Sequence, residues 1–281
     1  MIPADAIRSM QALAAEVFAL APERVDLTPG ELAYFGAIAG EDVVHRLWFE
    51  RGEPVAWALL SPGGRLEWQV HPGHPALLDE VLDWAGASQT AARHPDDAAR
   101  LEARGFAEDP DAPFMRLNVR DLDAIDEPLP PPGHTLCTVA DLDGLTGRVA
   151  VHRAAWAEHG TRVTEETYPR VQAAWPYRAD LDFVALDPHG APVSFALGWY
   201  DERNRVGEFE PVGTDPRARR LGLARAVSLF GLRRFREAGA TRAIVGCRGD
   251  AAYPVPCLLY ESLGFRELSR QRIYRSGSQP S

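Results

Sequence analysis

The chain has 281 residues, 46% of them hydrophobic and 25% charged, a globular composition with room for about two domains and a large core. Forty acidic residues against thirty basic ones give a net charge of −10, which argues against non-specific binding to nucleic acid or anionic membrane. Every basic residue is arginine, and without a lysine amine a Schiff-base aldolase, a pyridoxal-phosphate enzyme and a Walker-type nucleotide hydrolase are excluded.

In chain order, Met1-Ile2-Pro3-Ala4-Asp5 carries no basic patch leading into an apolar stretch, and no run of about 18 apolar residues follows, so a cytoplasmic protein is expected. Leu47 to Leu59 reads as a hairpin turning at Gly52-Glu53-Pro54, followed by a strand over Leu66–Val70 and a helix over Ala76–Trp84. His71 and His74 fit a surface turn better than a metal site. A short helix then ends in Leu101-Glu102-Ala103-Arg104-Gly105-Phe106, ahead of another strand.

Four prolines and a glycine within residues 126–133 mark a semi-rigid linker. They divide the chain into 1–126, the linker 127–133, and 134–281. Beyond it, strands are expected near 134–139, 182–187, 192–200, 205–214, 241–247 and 266–275, and helices near 141–158, 164–174, 222–237 and 254–263, with Gly239 ending the third helix. The two halves look alike: hairpin, third strand, helix, then a short helix ending in Gly-Phe. This weak internal repeat implies two copies of one α/β unit. Cys137, Cys247 and Cys257 form no CxxC pair, which fits a reducing compartment, buried small side chains and no zinc site. His152, Trp156 and His159 recur at near-helical spacing and suit core packing, whereas Trp175-Pro176-Tyr177 and Trp199-Tyr200 are candidates for an acceptor pocket.

The chemistry is most legible from Glu208 to Ala224. A strand runs into a helix through a turn whose small residues Gly222 and Ala224 let the helix-start amides approach a ligand, and such amides with the helix dipole make an anion site. Between Asp215 and Arg236 seven arginines face that one acid. No GxGxxG occurs, so a dinucleotide site is disfavoured. Glu208 and Glu210 lie two apart on the preceding strand, hence on one face, where either could act as a general base.

Arg219-Arg220-Leu221-Gly222-Leu223-Ala224, with Pro216 ahead of it, and Tyr260-Glu261-Ser262-Leu263-Gly264-Phe265 together resemble the GCN5-related N-acetyltransferase superfamily. The resemblance covers about residues 134–275 well and the first half faintly. It implies a mixed α/β (α+β) chain of two tandem acetyltransferase-like domains, each a mixed sheet with helices on both faces. It also implies acetyl-CoA as donor, with the pyrophosphate on the amides of Arg219, Arg220, Leu221, Gly222, Leu223 and Ala224. Val212, Gly213 and Thr214 would pair with the pantetheine arm. Tyr260 would protonate the leaving thiolate, and Glu208, with Glu210 second, would take the proton of a primary amine attacking directly. The family's usual Asn and Ala before the tyrosine are replaced by Tyr253 and Pro256. In the first half the equivalent turn, Val70 to Glu80, has no arginine and carries Asp79 and Glu80, while Leu101 stands at the tyrosine position. That lobe is expected to be degenerate, packed on the active one and walling the acceptor site. The acceptor is expected to be a small-molecule or peptide amine, and the protein a monomer or homodimer with no nucleic-acid, membrane or metal partner. The competing reading is a non-catalytic acyl-CoA sensor or interaction protein, which would need neither Glu208 nor Tyr260.

Overall fold

The computed structural model describes residues 2–40 and 42–277. Two helices that were not among the expected elements precede the first hairpin. Helix α1 (Ala4–Leu20) is amphipathic and buries Met10, Leu13, Ala14 and Val17, each worth roughly 1–3 kcal/mol depending on size. Helix α2 (Pro29–Ile38) opens with a capping box, in which the Glu31 side chain accepts from Thr28 N at 2.8 Å and the Glu31 amide donates back to Thr28 Oγ1. Pro29 takes the first helical position, where its missing N–H costs nothing.

There follow β1 (Val44–Glu50), β2 (Glu53–Leu60), β3 (Leu66–Val70), α3 (Leu77–Ala85), β4 (Gln89–Ala92), α4 (Pro95–Ala103), β5 (Phe106–Glu108) and β6 (Met115–Asp121). The second half contains β7 (Thr135–Thr138), α5 (Thr146–Ala155), α6 (Tyr168–Ala173), β8 (Asp182–Leu186), β9 (Pro192–Asp201), β10 (Val206–Thr214), α7 (Leu223–Glu237), β11 (Arg242–Arg248), α8 (Val255–Ser262), β12 (Arg266–Arg270) and β13 (Arg272–Ser276). Most expected elements stand within two residues of their places. The helix expected over 141–158 is shorter, because Thr138 and Asp141 cap a separate turn first, and Gly144 with a positive φ divides that turn from α5. The helix expected over 164–174 begins only at Tyr168, after a loop in which Thr164 and Thr167 bond each other.

The strand expected over 266–275 is two strands in two different sheets, and this bears on the division at the linker. The large sheet runs β12-β6-β11-β10-β9-β8-β7, so β6, from before the linker, sits between β11 and β12. Reciprocally β13, from the end of the chain, sits between β4 and β5. A single parallel bridge, Arg65 to Gln89, joins the edge of β1-β2-β3 to β4, just as β10 and β11 are the parallel neighbours of the large sheet. Each half therefore follows one plan, in which an antiparallel run meets a parallel neighbour and the last strand comes from the other half. Without β6, β11 and β12 would expose unpaired edges.

Helix α1 is held between the lobes. Its apolar face shares one cluster with Trp57 and Leu59 of β2, Leu117 and Val119 of β6, Val206 of β10 and Ile244 of β11. Helix α2 lies across β9 and β10.

Candidate active site

The parallel strands β10 and β11 pair only over Val206–Phe209 and Arg242–Val245. Beyond Phe209 the register of β10 against β9 shifts, Val212, Gly213 and Thr214 stay paired with Ala196, Phe195 and Ser194 of β9, and their other edge faces no strand among the described residues. The sheet thus opens as a V on the side where the candidate residues lie.

At one side of this opening is the turn between β10 and α7. Arg220 and Gly222 have positive φ, and the amides of Arg220, Leu221 and Gly222 find no acceptor among the described residues. Gly222 is there for its backbone, since a Cβ at that position would meet open space. The arginine cluster is less uniform than its sequence suggests. Arg225 pairs with Asp126 and Arg233 with Glu127, both acids of the linker region, Arg234 with Glu237, and Arg217 with Asp215. Arg219, Arg220 and Arg236 are exposed and have no acidic partner among the described residues. Two of these three, Arg219 and Arg220, stand at the glycine turn, and Arg236 at the far end of α7.

Glu208 and Glu210 share a face of β10 but not an environment. Glu208 is buried, and its carboxyl caps α2: it accepts from Gly30 N at 2.9 Å, from Glu31 N at 3.0 Å and from Thr28 Oγ1. Burial, and after it the charge of Glu31, pushes its pKa up to about 8 despite those three donors. Gly30 makes the approach possible, because a Cβ there would stand 2.5 Å from Glu208 Oε2. Glu210 is half-buried at the bend where β10 leaves β11 and makes no hydrogen bond through its carboxyl among the described residues. Burial, then Glu31 and Glu208, raises its pKa well above the ordinary carboxylate range.

A cavity of about 490 Å³ opens over Glu210 and is walled by Tyr34 and Phe35 of α2, His152 of α5, Trp156 and Thr161. The aromatic residues expected to be core thus line it. His152 stacks on Phe195 with ring centroids 5.1 Å apart and shares polar contacts with Thr161 Oγ1 at 3.0 Å and Tyr34 Oη at 3.4 Å. Burial, then the Arg148 charge, pushes its pKa down to about 3, so the ring is neutral. Beneath it Arg148 and Asp182 form a fully buried ion pair at 2.8 Å, with Tyr168 donating to the same carboxylate. Trp175, Trp199 and Tyr200 line a different cavity of about 340 Å³, at the N-terminal end of α2, together with Gln11, Gly30 and Glu208.

Tyr260, on α8, is buried, and its hydroxyl has no hydrogen-bond partner among the described residues. Its pKa is raised, chiefly by burial, with Cys247 and Glu210 adding to it. The Glu210 charge thus reaches Tyr260. Of the sequence-derived site residues Glu210 lines the larger cavity and Glu208 the smaller one, while Val212–Thr214 continue β10, Arg219–Gly222 form the turn before α7 with Leu223 and Ala224 opening that helix, and Tyr260 lies on α8. Tyr34 and Glu31 belong with them and were missed, although Thr28-Pro29-Gly30-Glu31 ahead of an apolar run is a helix-start signal that could have found α2. In the first lobe, Leu101 is fully buried core and α3 starts without a side-chain cap, with Asp79 and Glu80 in its first turn.

Residues 148–265 match the model of the acetyltransferase (GNAT) family. A mycothiol acetyltransferase of Amycolatopsis mediterranei is 30% identical, over 88% of this chain and 89% of its own, and one of Saccharomonospora viridis is 28% identical, over 74% and 73%. A solved tandem GNAT protein of the clavulanic acid biosynthesis pathway superposes with a TM-score of 0.65 at 17% identity, over 97% of this chain and 95% of its own, which shows a shared fold.

Proposed function

The chain belongs to the GNAT acetyltransferase family, and from that premise we propose that it moves an acetyl group from acetyl-CoA to a primary amine by direct attack, in a single active site built on the second lobe and roofed by α2 of the first. The observation that carries this reading is the open edge of Val212–Thr214 running from the free amides at Arg220–Gly222 to a cleft where Glu210 and Tyr260 both lie uncommitted.

The uncommitted amides and the exposed Arg219 and Arg220 fit a pyrophosphate, and the free edge of Val212–Thr214 fits an amide-bearing arm laid down as an added strand. Bound there, the donor supplies an activated thioester. Tyr260 stands ready to give its proton to the departing sulfur. A primary amine of ordinary pKa near 10.4 is mostly protonated at neutral pH, and removing that proton costs about 4.6 kcal/mol. Glu210, the carboxyl without a partner, takes it directly or through a water. Glu208 is bound to α2 and works mainly by holding that helix, and with it Tyr34, over the cleft. We thus prefer Glu210 over Glu208 as the base. Three crowded carboxyls, Glu31, Glu208 and Glu210, have raised pKa values, and a cationic amine among them would favour their ionised forms, which makes such an acceptor a good fit.

We propose two lobes with one exchanged strand each, and a first lobe that binds no donor, since acids replace arginines at its equivalent turn. An acceptor screen following thiol release from acetyl-CoA tests the reading, with the acceptor of enzymes named mycothiol acetyltransferase among the first amines tried. Release above the hydrolysis background with any primary amine supports it. Calorimetry showing no binding of CoA would overturn it.

A further inference from the structure

Cys247 on β11 and Cys257 on α8 are ten residues apart in sequence, but their Sγ atoms lie 3.7 Å from one another. Their surroundings differ in a way that assigns each a role. Cys247 is buried and accepts a contact from Asn118 Nδ2 at 3.3 Å. Cys257 is half-buried, with its Sγ 3.1 Å from the Arg248 carbonyl and 3.5 Å from Nη1 of Arg116. Of the two sulfurs Cys257 is the more accessible, so an oxidant from solution meets it first. The second sulfur, shielded and in contact, is placed to resolve the product.

We infer that Cys247 and Cys257 form an oxidisable dithiol that crosslinks α8 to β11, with a hydroperoxide or a small disulfide as the oxidant. With a hydroperoxide, the Cys257 thiolate attacks one oxygen, the O–O bond breaks, and a sulfenic acid and hydroxide form. The Cys247 sulfur then attacks the sulfenic sulfur, the S–O bond breaks, and the Cys247 proton leaves with the hydroxyl as water. Two thiols and one hydrogen peroxide become one disulfide and two waters. Burial pushes the Cys247 thiol up to about 12, so it remains protonated until the resolving step.

The crosslink bears on the site because Tyr260 follows Cys257 by three residues and so shares its helix face. An S–S bond is about 2.05 Å long, so the two sulfurs must close by more than 1.5 Å, drawing the start of α8 toward β11 and moving the tyrosine hydroxyl in the cleft. This second step rests on the role proposed for Tyr260, whereas the crosslink does not.

The experiment treats the full chain with hydrogen peroxide and reads two quantities separately. Thiol titration should fall from three per chain to one, with the mass lower by two hydrogens and one peptide linking Cys247 to Cys257. Acetyl transfer should fall roughly 10- to 100-fold, the penalty of an ångström-scale displacement, and return with dithiothreitol. Cys247→Ser should abolish the linked peptide and the reversible loss, and Cys137→Ser should retain both. A sulfinic acid at Cys257 with no linked peptide in the wild-type chain overturns the dithiol. A linked peptide with an unchanged rate overturns its effect on α8 while leaving the crosslink standing. No transfer by the reduced chain, with the linked peptide present, counts against the proposed function and not against the dithiol.

Discussion

Gly30→Ala reverses the usual sign of a helix glycine substitution, and so tests whether Glu208 docks α2 on the sheet. In the interior of an exposed helix, alanine is better than glycine by about 0.5–1 kcal/mol. Here the added Cβ would lie 2.5 Å from Glu208 Oε2 and 2.7 Å from Trp199 Cδ1, against 3.4 Å or more for ordinary contact. Neither neighbour can easily yield. Trp199 is 1% exposed and held by its Nε1 donating to the Glu210 carbonyl at 2.7 Å, and Glu208 is buried and bonded at both oxygens. Helix α2 must therefore lift by nearly an ångström, straining the contacts of Gly30 N and Glu31 N with the carboxyl. Overpacking costs about 1–3 kcal/mol and a weakened hydrogen bond about 0.5–1.5, against the 0.5–1 that alanine gains, so the net loss is roughly 1–4 kcal/mol. At about 2–4 °C per kcal/mol for a chain of this size, Tm should fall by roughly 3–12 °C. Differential scanning calorimetry at neutral pH gives the number, with Gly63→Ala, where nothing stands within 4 Å of the new Cβ, as the control that should not fall. A Tm for Gly30→Ala equal to or above wild type would show that α2 is not held by this contact.

Glu210→Gln should lower kcat by roughly 10²-fold at neutral pH, with the loss shrinking as pH approaches the pKa of the acceptor amine, because the amine then arrives deprotonated. Glu208→Gln removes instead an ionisable neighbour that helps to raise the Glu210 pKa, so the pH–rate profile should keep its ascending limb and move it to lower pH; a larger loss here than at Glu210 would return the base to Glu208. The same group governs stability with a definite sign. A carboxyl with an ordinary pKa near 4.5 that is raised to about 8 in the fold binds more protons folded than unfolded, so the wild type should lose stability as pH rises through that window, and Glu208→Gln should flatten the slope in pH-dependent denaturation. Tyr260→Phe should reduce kcat by roughly 10²-fold with CoA affinity within a few-fold, measured by steady-state kinetics beside calorimetry, and an unchanged kcat would mean that water protonates the sulfur. Gly222→Glu should weaken CoA binding, since it places a side chain at a φ of +80° and a negative charge beside free amides, and calorimetry should find one site per wild-type chain.

The parts of this molecule that were legible in sequence are those fixed by local physics. A strand-turn-helix with a glycine at positive φ, a tyrosine three residues before a helix-ending Leu-Gly, and alternating strands around Gly-Pro turns each carry their signal within about fifteen residues. Hence β8 to α8 stand nearly where they were expected. What escaped was set by partners far along the chain. Strand β6 alternates equally well whichever sheet receives it, and nothing within Met115–Asp121 says that its neighbours are residues 242–248 and 266–270. The different surroundings of Glu208 and Glu210 escaped for the same reason. On their own strand they are equivalent, two carboxylates on one face. The difference between them is made some 180 residues earlier, by three donors at the start of a helix whose glycine leaves room for just one of the two carboxyls. On the function proposed above, the first lobe carries no donor turn yet has a task, since the helix it contributes engages Glu208 and leaves Glu210 without a partner among the described residues.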